Sequence, residues 1–276
     1  MLLGHGREDE GTIAVSRVRA AVLLIGLLLS SSALGAETTV VAEALDGDTV
    51  LLKNGQQVRY LGVNTPERHQ SFHQKALELN RVLTVGKTVR LEFDREREDR
   101  YGRLLAYVYV GQEMVNARLL REGLAHVYMI PPNLMRAHEF LRLQEEAKAK
   151  GLGLWANFKG PLKITTLEPG LKEEEYVRIA NVTARALNLK DYKLSDRAGR
   201  TYIFPSVVLP PGYALTLFSG LGRDARDPEG AIRLYWNSGR PIWNNTGDTA
   251  FLRGPDGEPI DRFDFLPPRR GRDRPR

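Results

Sequence analysis

No cysteine occurs in the 276 residues. Disulfide frameworks, zinc–thiolate sites and cysteine nucleophiles are excluded together. Low-complexity tracts are absent too, and 42% hydrophobic with 27% charged residues is the composition of an ordinary globular chain. Long apolar runs are scarce. The one stretch of note, Ala20 to Leu29, follows Arg17 and Arg19 and precedes the small-residue segment SSSALGAE. Charged, apolar and small residues in that order describe a secretory signal peptide, expected over residues 1–36, and the run is short for a bilayer span. The expected destination is secreted or periplasmic, with no transmembrane segment after cleavage. A retained N-terminal membrane anchor is the alternative.

A surplus of one charge sign is also missing from the body of the chain. The net charge is +6, but the tail LPPRRGRDRPR (266–276) carries five basic groups and one acidic group, four of those six charges. Such a tail is expected to be disordered. Bulk charge therefore says little about nucleic acid, and any such role has to rest on a local site.

What is present falls into two textures. From residue 37, TVVAEALDGDTVLLKNGQQVRYLGV alternates apolar and polar residues around Asp46-Gly47 and Asn54-Gly55, the pattern of a β-meander with two hairpin turns. SFHQKALELNRVL predicts a helix with Ser71 as N-cap. KTVRLEFD and RLLAYVYV predict two strands, and MVNARLLREG a short helix closed by Gly123. NLMRAHEFLRLQEEAKAKG predicts a longer helix capped by Asn133. About five strands with two or three helices over 37–159 suit a five-stranded OB-fold barrel. A linker is expected over 160–172. After it, short apolar runs recur about every ten residues without helical period, as in an all-β sandwich over 173–265. The expected fold class is mainly β, an OB-fold barrel with helices followed by an immunoglobulin-like β-sandwich.

Several residues sit oddly in a strand-rich barrel. Asp46 and Asp48 flank Gly47. Arg59 shares parity with Leu61 and Val63, so a regular strand would turn it towards the core face. Glu67 follows Asn64-Thr65-Pro66 at a strand end, where proline stops a ladder. Asp99, Tyr101 and Arg103 lie in EDRYGRLLAY, with Arg103 leading a strand. Singly, each has an ordinary explanation as turn, snorkelling or solvated residue. Jointly they suit a chemistry: oxygen ligands hold a hard cation such as Ca²⁺. Two guanidiniums grip a phosphate and stabilise its added charge, and a carboxylate activates water. His69 and His73, four apart, are a weaker candidate metal pair lacking a third ligand. Tyr107 and Tyr109 read as core rather than as base-stacking residues.

LDGDTV, VRYLGVNTPE and DRYGRLLAYVYV…MVNARLLREGLA resemble, in order and spacing over residues 40–156, the signature blocks of the staphylococcal nuclease-like (thermonuclease) family. The resemblance implies an OB-fold endonuclease that hydrolyses phosphodiester bonds of DNA or RNA with Ca²⁺. Arg59 and Arg103 would be the phosphate-binding arginines and Glu67 the general base. Asp48 would be a metal ligand, Thr65 a ligand through its carbonyl, and Tyr101, with Asp99 beside it, substrate-binding. Asp46 would serve from behind the ligands or simply form the turn. The chain departs from the pattern at Asn64, which stands where the family has an aspartate ligand. One lost negative charge implies a weaker site, more tolerant of Mn²⁺ or Mg²⁺. The loop after Glu67 is also shorter than in well-known members.

EEYVRIAN through WNNTGDTAFLRGPDGEPIDRFDF resembles a lamin-tail domain, most specifically at Trp243 to Thr249. It shows no catalytic set, and Tyr176, Trp236 and Trp243 read as core. The implied role is binding or anchoring, with nucleic acid, envelope or a protein as partner. Two rival readings stand beside the nuclease: an OB-fold nucleic-acid binder with decayed catalysis, and an envelope scaffold led by the second domain.

Overall fold

The computed structural model describes residues 37–170 and 174–267, besides Met1. The expected signal segment from residue 2 and the basic tail from residue 268 lie outside these residues. Among the described residues no helix is long and apolar enough to cross a membrane.

The first half is built on β1 (Glu37–Asp46), β2 (Thr49–Leu52), β3 (Gln57–Tyr60), β5 (Thr88–Glu92) and β6 (Leu104–Val110), with a short β4 (Val63–Asn64) between them. β1 serves two neighbours. Its first residues pair with β5, and from Val41 onward it pairs with β2 across register irregularities, as bulges that bend a strand require. β3 then runs parallel to β6, with Arg59 opposite Leu105, and this pairing closes the five-stranded barrel. Val41, Val50, Val58, Tyr60, Leu91, Ala106 and Val108 fill the interior. A short β7 (Glu113–Met114) folds back antiparallel on β6, and β8 (His126–Val127) pairs with β4.

Helices α1 (His73–Thr84), α2 (Val115–Arg121) and α3 (Ala137–Ala149) cover the barrel. Neither expected cap forms. α1 starts after Phe72, whose φ of 71° already reverses the chain, and no side chain caps it. α3 starts four residues beyond Asn133. The Asn133 side chain instead bonds the Glu96 amide (2.8 Å) and carbonyl (2.9 Å). A fixed backbone loop claimed the amide before the helix could.

The stretch expected to be a linker holds strand β9 (Leu162–Glu168), whose Leu162, Ile164 and Leu167 are buried. β9 pairs with β10 (Tyr176–Asn181), which pairs in turn with β15 (Ala214–Phe218). β11 (Leu187–Asn188) and β14 (Val208–Leu209) form a separate ribbon, while β12 (Lys193–Ser195) and β13 (Thr201–Ile203) pair with each other. β16 (Ala225–Arg226) and β17 (Ile232–Tyr235) complete a five-stranded sheet with β15, β10 and β9. β18 (Asp248–Arg253) and β19 (Pro259–Phe265) join β12 and β13 in the facing four-stranded sheet. Val177, Ile179, Leu215 and Leu217 meet Leu194, Ala250, Leu252 and Phe263 between the sheets. Trp236 and Trp243 meet edge to face there, centroids 6.1 Å apart. Tyr176 is buried, as expected, but lies outside the cluster between the sheets.

Barrel and sandwich belong to one compact unit. Met129 donates to the Gly212 carbonyl (2.8 Å) and accepts from Ala214 (3.1 Å). Gln144 and Lys148 of α3 both donate to the Val182 carbonyl at 3.0 Å.

Candidate active site

The loops at one end of the barrel carry most of the predicted site. At the β1–β2 hairpin, a Cβ on Gly47 would stand 2.7 Å from both Ala76 of α1 and the Thr65 hydroxyl. Only glycine lets the hairpin approach the Thr65 loop that closely. Asn80 of α1 secures the arrangement, donating to the Asp46 carbonyl (2.7 Å) and accepting from the Tyr60 hydroxyl (2.8 Å). Asn116 of α2, fully buried, bonds the Val108 amide and the Leu61 carbonyl, each at 2.9 Å.

Arg59 does not obey the parity read from the sequence. Its strand neighbours Val58 and Tyr60 point into the core, so Arg59 faces the other way. The ladder ends at Tyr60, and Gly62 at φ +73° resets the alternation before Val63. The guanidinium then folds over its own loop. Nη1 donates to the carbonyls of Tyr60 (2.7 Å) and Val63 (2.8 Å). Nη2 donates to the Asn64 side-chain oxygen (2.7 Å) and lies 3.2 Å from Asp48 Oδ2. That same Oδ2 accepts from the Thr65 amide (2.7 Å) and hydroxyl (3.0 Å). Asp48, Arg59, Asn64 and Thr65 therefore form one hydrogen-bonded knot.

Glu67 joins the knot electrostatically. Its carboxyl is pushed up to about 7, first by burial, then by Asp46 and Asp48, with Arg59 pulling the other way. Burial, and then Asp48, raise Asp46 as well. Carboxylates that hold each other's protons this way favour any cation that joins them. The available donors are all oxygen: Asp48, the amide of Asn64 and the carbonyl of Thr65, with Asp46 and Glu67 nearby. Oxygen donors suit a hard divalent ion. Among the described residues no group of three or more histidine, aspartate or glutamate side chains is placed to hold a metal by itself, so a cation at this knot would also need an amide or carbonyl oxygen.

Arg103 arrives from the neighbouring strand. It lies two positions before Leu105, the register partner of Arg59, so both arginines emerge on one face. Asp99 holds Arg103 from the side, with Oδ2 2.8 Å from Nε and 2.7 Å from Nη2. The same carboxylate accepts from the Tyr101 amide (2.9 Å). Arg59, Asn64, Glu67, Asp99, Tyr101 and Arg103 all line one cleft of about 580 Å³. The structure thus gathers nearly every predicted residue.

It does not gather the histidines. His73 is buried with Nδ1 3.0 Å from the Pro66 carbonyl and 3.5 Å from Asp46. His69 is exposed and meets Phe263 of β19 edge to face at 5.8 Å. Tyr107 and Tyr109 are buried as expected; Tyr107 packs on Phe140 and donates to Asp94 (3.0 Å). Asn80, Asn116, Tyr128, Tyr176 and Arg178 were not foreseen as parts of the site. The first two carry no sequence signal beyond an asparagine inside a helical pattern. The last two are distant in sequence, and Tyr176 was read as core.

Comparison with known proteins places these features. Residues 57–157 match the family described as staphylococcal nuclease homologue, and residues 156–266 match the lamin tail domain. The thermonuclease of Staphylococcus intermedius is 39% identical over 135 residues, which cover 46% of this chain and 80% of the relative. That of Staphylococcus hyicus is 35% identical over 130 residues, 44% and 77% of the two chains. Endonuclease YncB of Bacillus subtilis is 42% identical over 124 residues, 41% of this chain and 59% of the relative. The closed barrel, the three sequence blocks and this coverage agree: the chain belongs to the staphylococcal nuclease family and carries a lamin tail domain behind its nuclease barrel.

Proposed function

We propose that this exported nuclease hydrolyses phosphodiester bonds of DNA, RNA or both, with Arg59, Arg103 and Glu67 as its catalytic residues. The observation that carries the reading is the cleft that holds both arginines beside Glu67, a carboxyl poised near neutrality. A general base works best when its pKa lies near the operating pH. Glu67 takes the proton from a water that attacks phosphorus. The bond from phosphorus to the leaving sugar oxygen breaks, and that oxygen takes a proton from solvent. Arg59 and Arg103 bind the phosphate oxygens and stabilise their added charge as phosphorus becomes five-coordinate.

Asp48, Asn64 and Thr65 would hold Ca²⁺, with Mn²⁺ or Mg²⁺ tolerated. When bound, the ion supplies positive charge against the phosphate and relieves the repulsion among Asp46, Asp48 and Glu67. Arg59 Nη2 now occupies the Asp48 and Asn64 oxygens. Arg59 would have to release those oxygens for them to serve as metal ligands, and its guanidinium would then be available to substrate. Tyr101 and Asp99 belong to the substrate wall, Asp99 by fixing Arg103 and the Tyr101 backbone. Asp46 acts from behind, through His73 and Gly47. Export rests on the signal-like segment that ends near Ala36.

Incubating the mature protein with single-stranded DNA and Ca²⁺, with and without EDTA, tests the reading. Cleavage that EDTA abolishes and added Ca²⁺ restores is the expected result; binding without turnover at any divalent ion defeats it. Asn64→Asp restores the lost negative charge while keeping the acceptor for Arg59. It should lower the Ca²⁺ concentration at half-maximal activity about tenfold, corresponding to about 1.4 kcal/mol. Calorimetric Ca²⁺ titration gives the same shift, and an unmoved midpoint removes Asn64 from the ligand set.

A further inference from the structure

The cleft beside the nuclease residues is not made by the barrel alone. Thr166 of β9 and Tyr176 and Arg178 of β10 line it too. β10 is an inner strand, held between β9 and β15. Its Val177 and Ile179 point into the sandwich core with no exposure, so alternation sends Arg178 out of the opposite face, into the cleft.

The surroundings of Arg178 are aromatic rather than acidic. Its guanidinium sits 4.9 Å from the centre of the Tyr176 ring, and Nη1 is 3.4 Å from the Tyr128 hydroxyl. Nε is buried and has no acceptor among the described residues. Glu96 and Glu98 line the same cleft, yet no described carboxylate forms an ion pair with Arg178. Arg59 and Arg103 in the same cleft differ: Arg59 is paired with Asp48 and Arg103 with Asp99. A largely desolvated guanidinium without a counter-ion is costly to keep. The chemistry that satisfies it is an oxyanion arriving from the cleft.

Arg100 of the barrel also links Tyr101 to the sandwich. Arg100 Nη2 donates to the Tyr101 hydroxyl (2.6 Å) and reaches the Tyr176 hydroxyl (3.4 Å). Beyond Arg178 a further cavity continues along the sandwich face, where Asp227 and Glu229 stand with Arg100 and Arg233.

We propose that the lamin-tail sandwich supplies a phosphate subsite for the single-stranded substrate, with Arg178 binding one backbone phosphate flanking the scissile one. This rests on the nuclease reading for the position of the scissile phosphate. The second domain is then part of the substrate site, not an appendage to it.

The test is binding, so that it does not depend on turnover. Full-length Glu67→Gln protein is titrated with fluorescein-labelled oligothymidylates, a dinucleotide and an octanucleotide, across about 50 to 200 mM salt. Adding Arg178→Gln should weaken octanucleotide binding about tenfold and lower the salt slope by about 0.7, the loss of one single-strand phosphate contact. Dinucleotide binding should weaken less. Arg178→Lys retains the slope, which identifies the loss as one of charge; Arg178→Met, uncharged but with a similar apolar stem, serves in place of the glutamine variant if that one fails to melt as a folded protein. An unchanged octanucleotide slope, or equal weakening at both lengths, overturns the subsite. Failure of the EDTA-controlled cleavage assay defeats the nuclease reading instead, so the two failures are told apart.

Discussion

Glu67→Gln protein should cleave single-stranded DNA about 10²- to 10⁴-fold more slowly than wild type while being more stable than wild type when metal-free at about pH 8. Both effects come from one carboxyl. Glu67 has its folded-state pKa raised from 4.5 to about 7 by burial and by Asp46 and Asp48. Folding therefore favours the protonated form. The destabilisation is absent below the unfolded-state value, grows as pH rises through the interval up to about 7, and is complete above it. Glutamine is neutral throughout and escapes it. Partial exposure of Glu67 discounts the effect to about 1–3 kcal/mol at high pH, several degrees in melting temperature. At about pH 4 both proteins carry a neutral side chain and the difference should vanish. Calorimetric melts at the two pH values check this, alongside cleavage rates. Equal stability at high pH would mean that Glu67 does not share the field of Asp46 and Asp48. Undiminished cleavage would remove Glu67 as the base. Ca²⁺ should raise the melting temperature of wild type more than that of the variant, because it neutralises a repulsion the variant has already lost.

Most of the site was legible because its residues lie in short blocks whose backbone is fixed locally. Asp46 to Asp48 are a hairpin, Arg59 to Glu67 a strand end and its loop, Asp99 to Arg103 a turn leading into β6. Such blocks carry their geometry with them. What could not be read came from contacts between distant segments. Parity with Leu61 and Val63 puts Arg59 on the core face only if the strand is unbroken. Gly62, at φ +73°, breaks it. Ser71 and Asn133 are good capping residues, yet Phe72 and Arg136 occupy the cap positions, and Asn133 is claimed by Glu96 nearly forty residues away. The segment 162–168 follows Gly160-Pro161 and looks like a linker, but its apolar residues complete a sheet that only exists once β10 folds. Tyr176 and Arg178 belong to an alternating strand that is unremarkable by itself. Their role depends on which face of the sandwich meets the barrel, and that is set by Gly212, Ala214 and Val182 docking on Met129 and α3.

The two arginines proposed as catalytic should part company when each is replaced by glutamine. Both variants are expected to lose about 10³- to 10⁵-fold in kcat, the range seen when an arginine that stabilises phosphoryl charge is removed. Their stabilities should differ. Arg103 is partly exposed and is held by Asp99 at the rim of the cleft; such pairs are worth about 0–1 kcal/mol, so Arg103→Gln should melt close to wild type. Arg59 is embedded. It satisfies the Tyr60 and Val63 carbonyls and the Asn64 amide oxygen, and it is the cation beside Asp48, which is 4% exposed. Removing one partner of a buried pair strands the other, at about 3–5 kcal/mol. Arg59→Gln should therefore unfold well below wild type in the absence of metal. Ca²⁺ should recover part of that loss, because an ion held by Asp48 and Asn64 replaces the positive charge at the oxygens that Nη2 now occupies. It should do nothing comparable for Arg103→Gln. Melting temperatures of the three proteins with and without Ca²⁺ decide the matter, independently of any cleavage assay. Equal melting of both variants, or a Ca²⁺ effect no larger for Arg59→Gln than for Arg103→Gln, would show that Arg59 does not hold the metal's place.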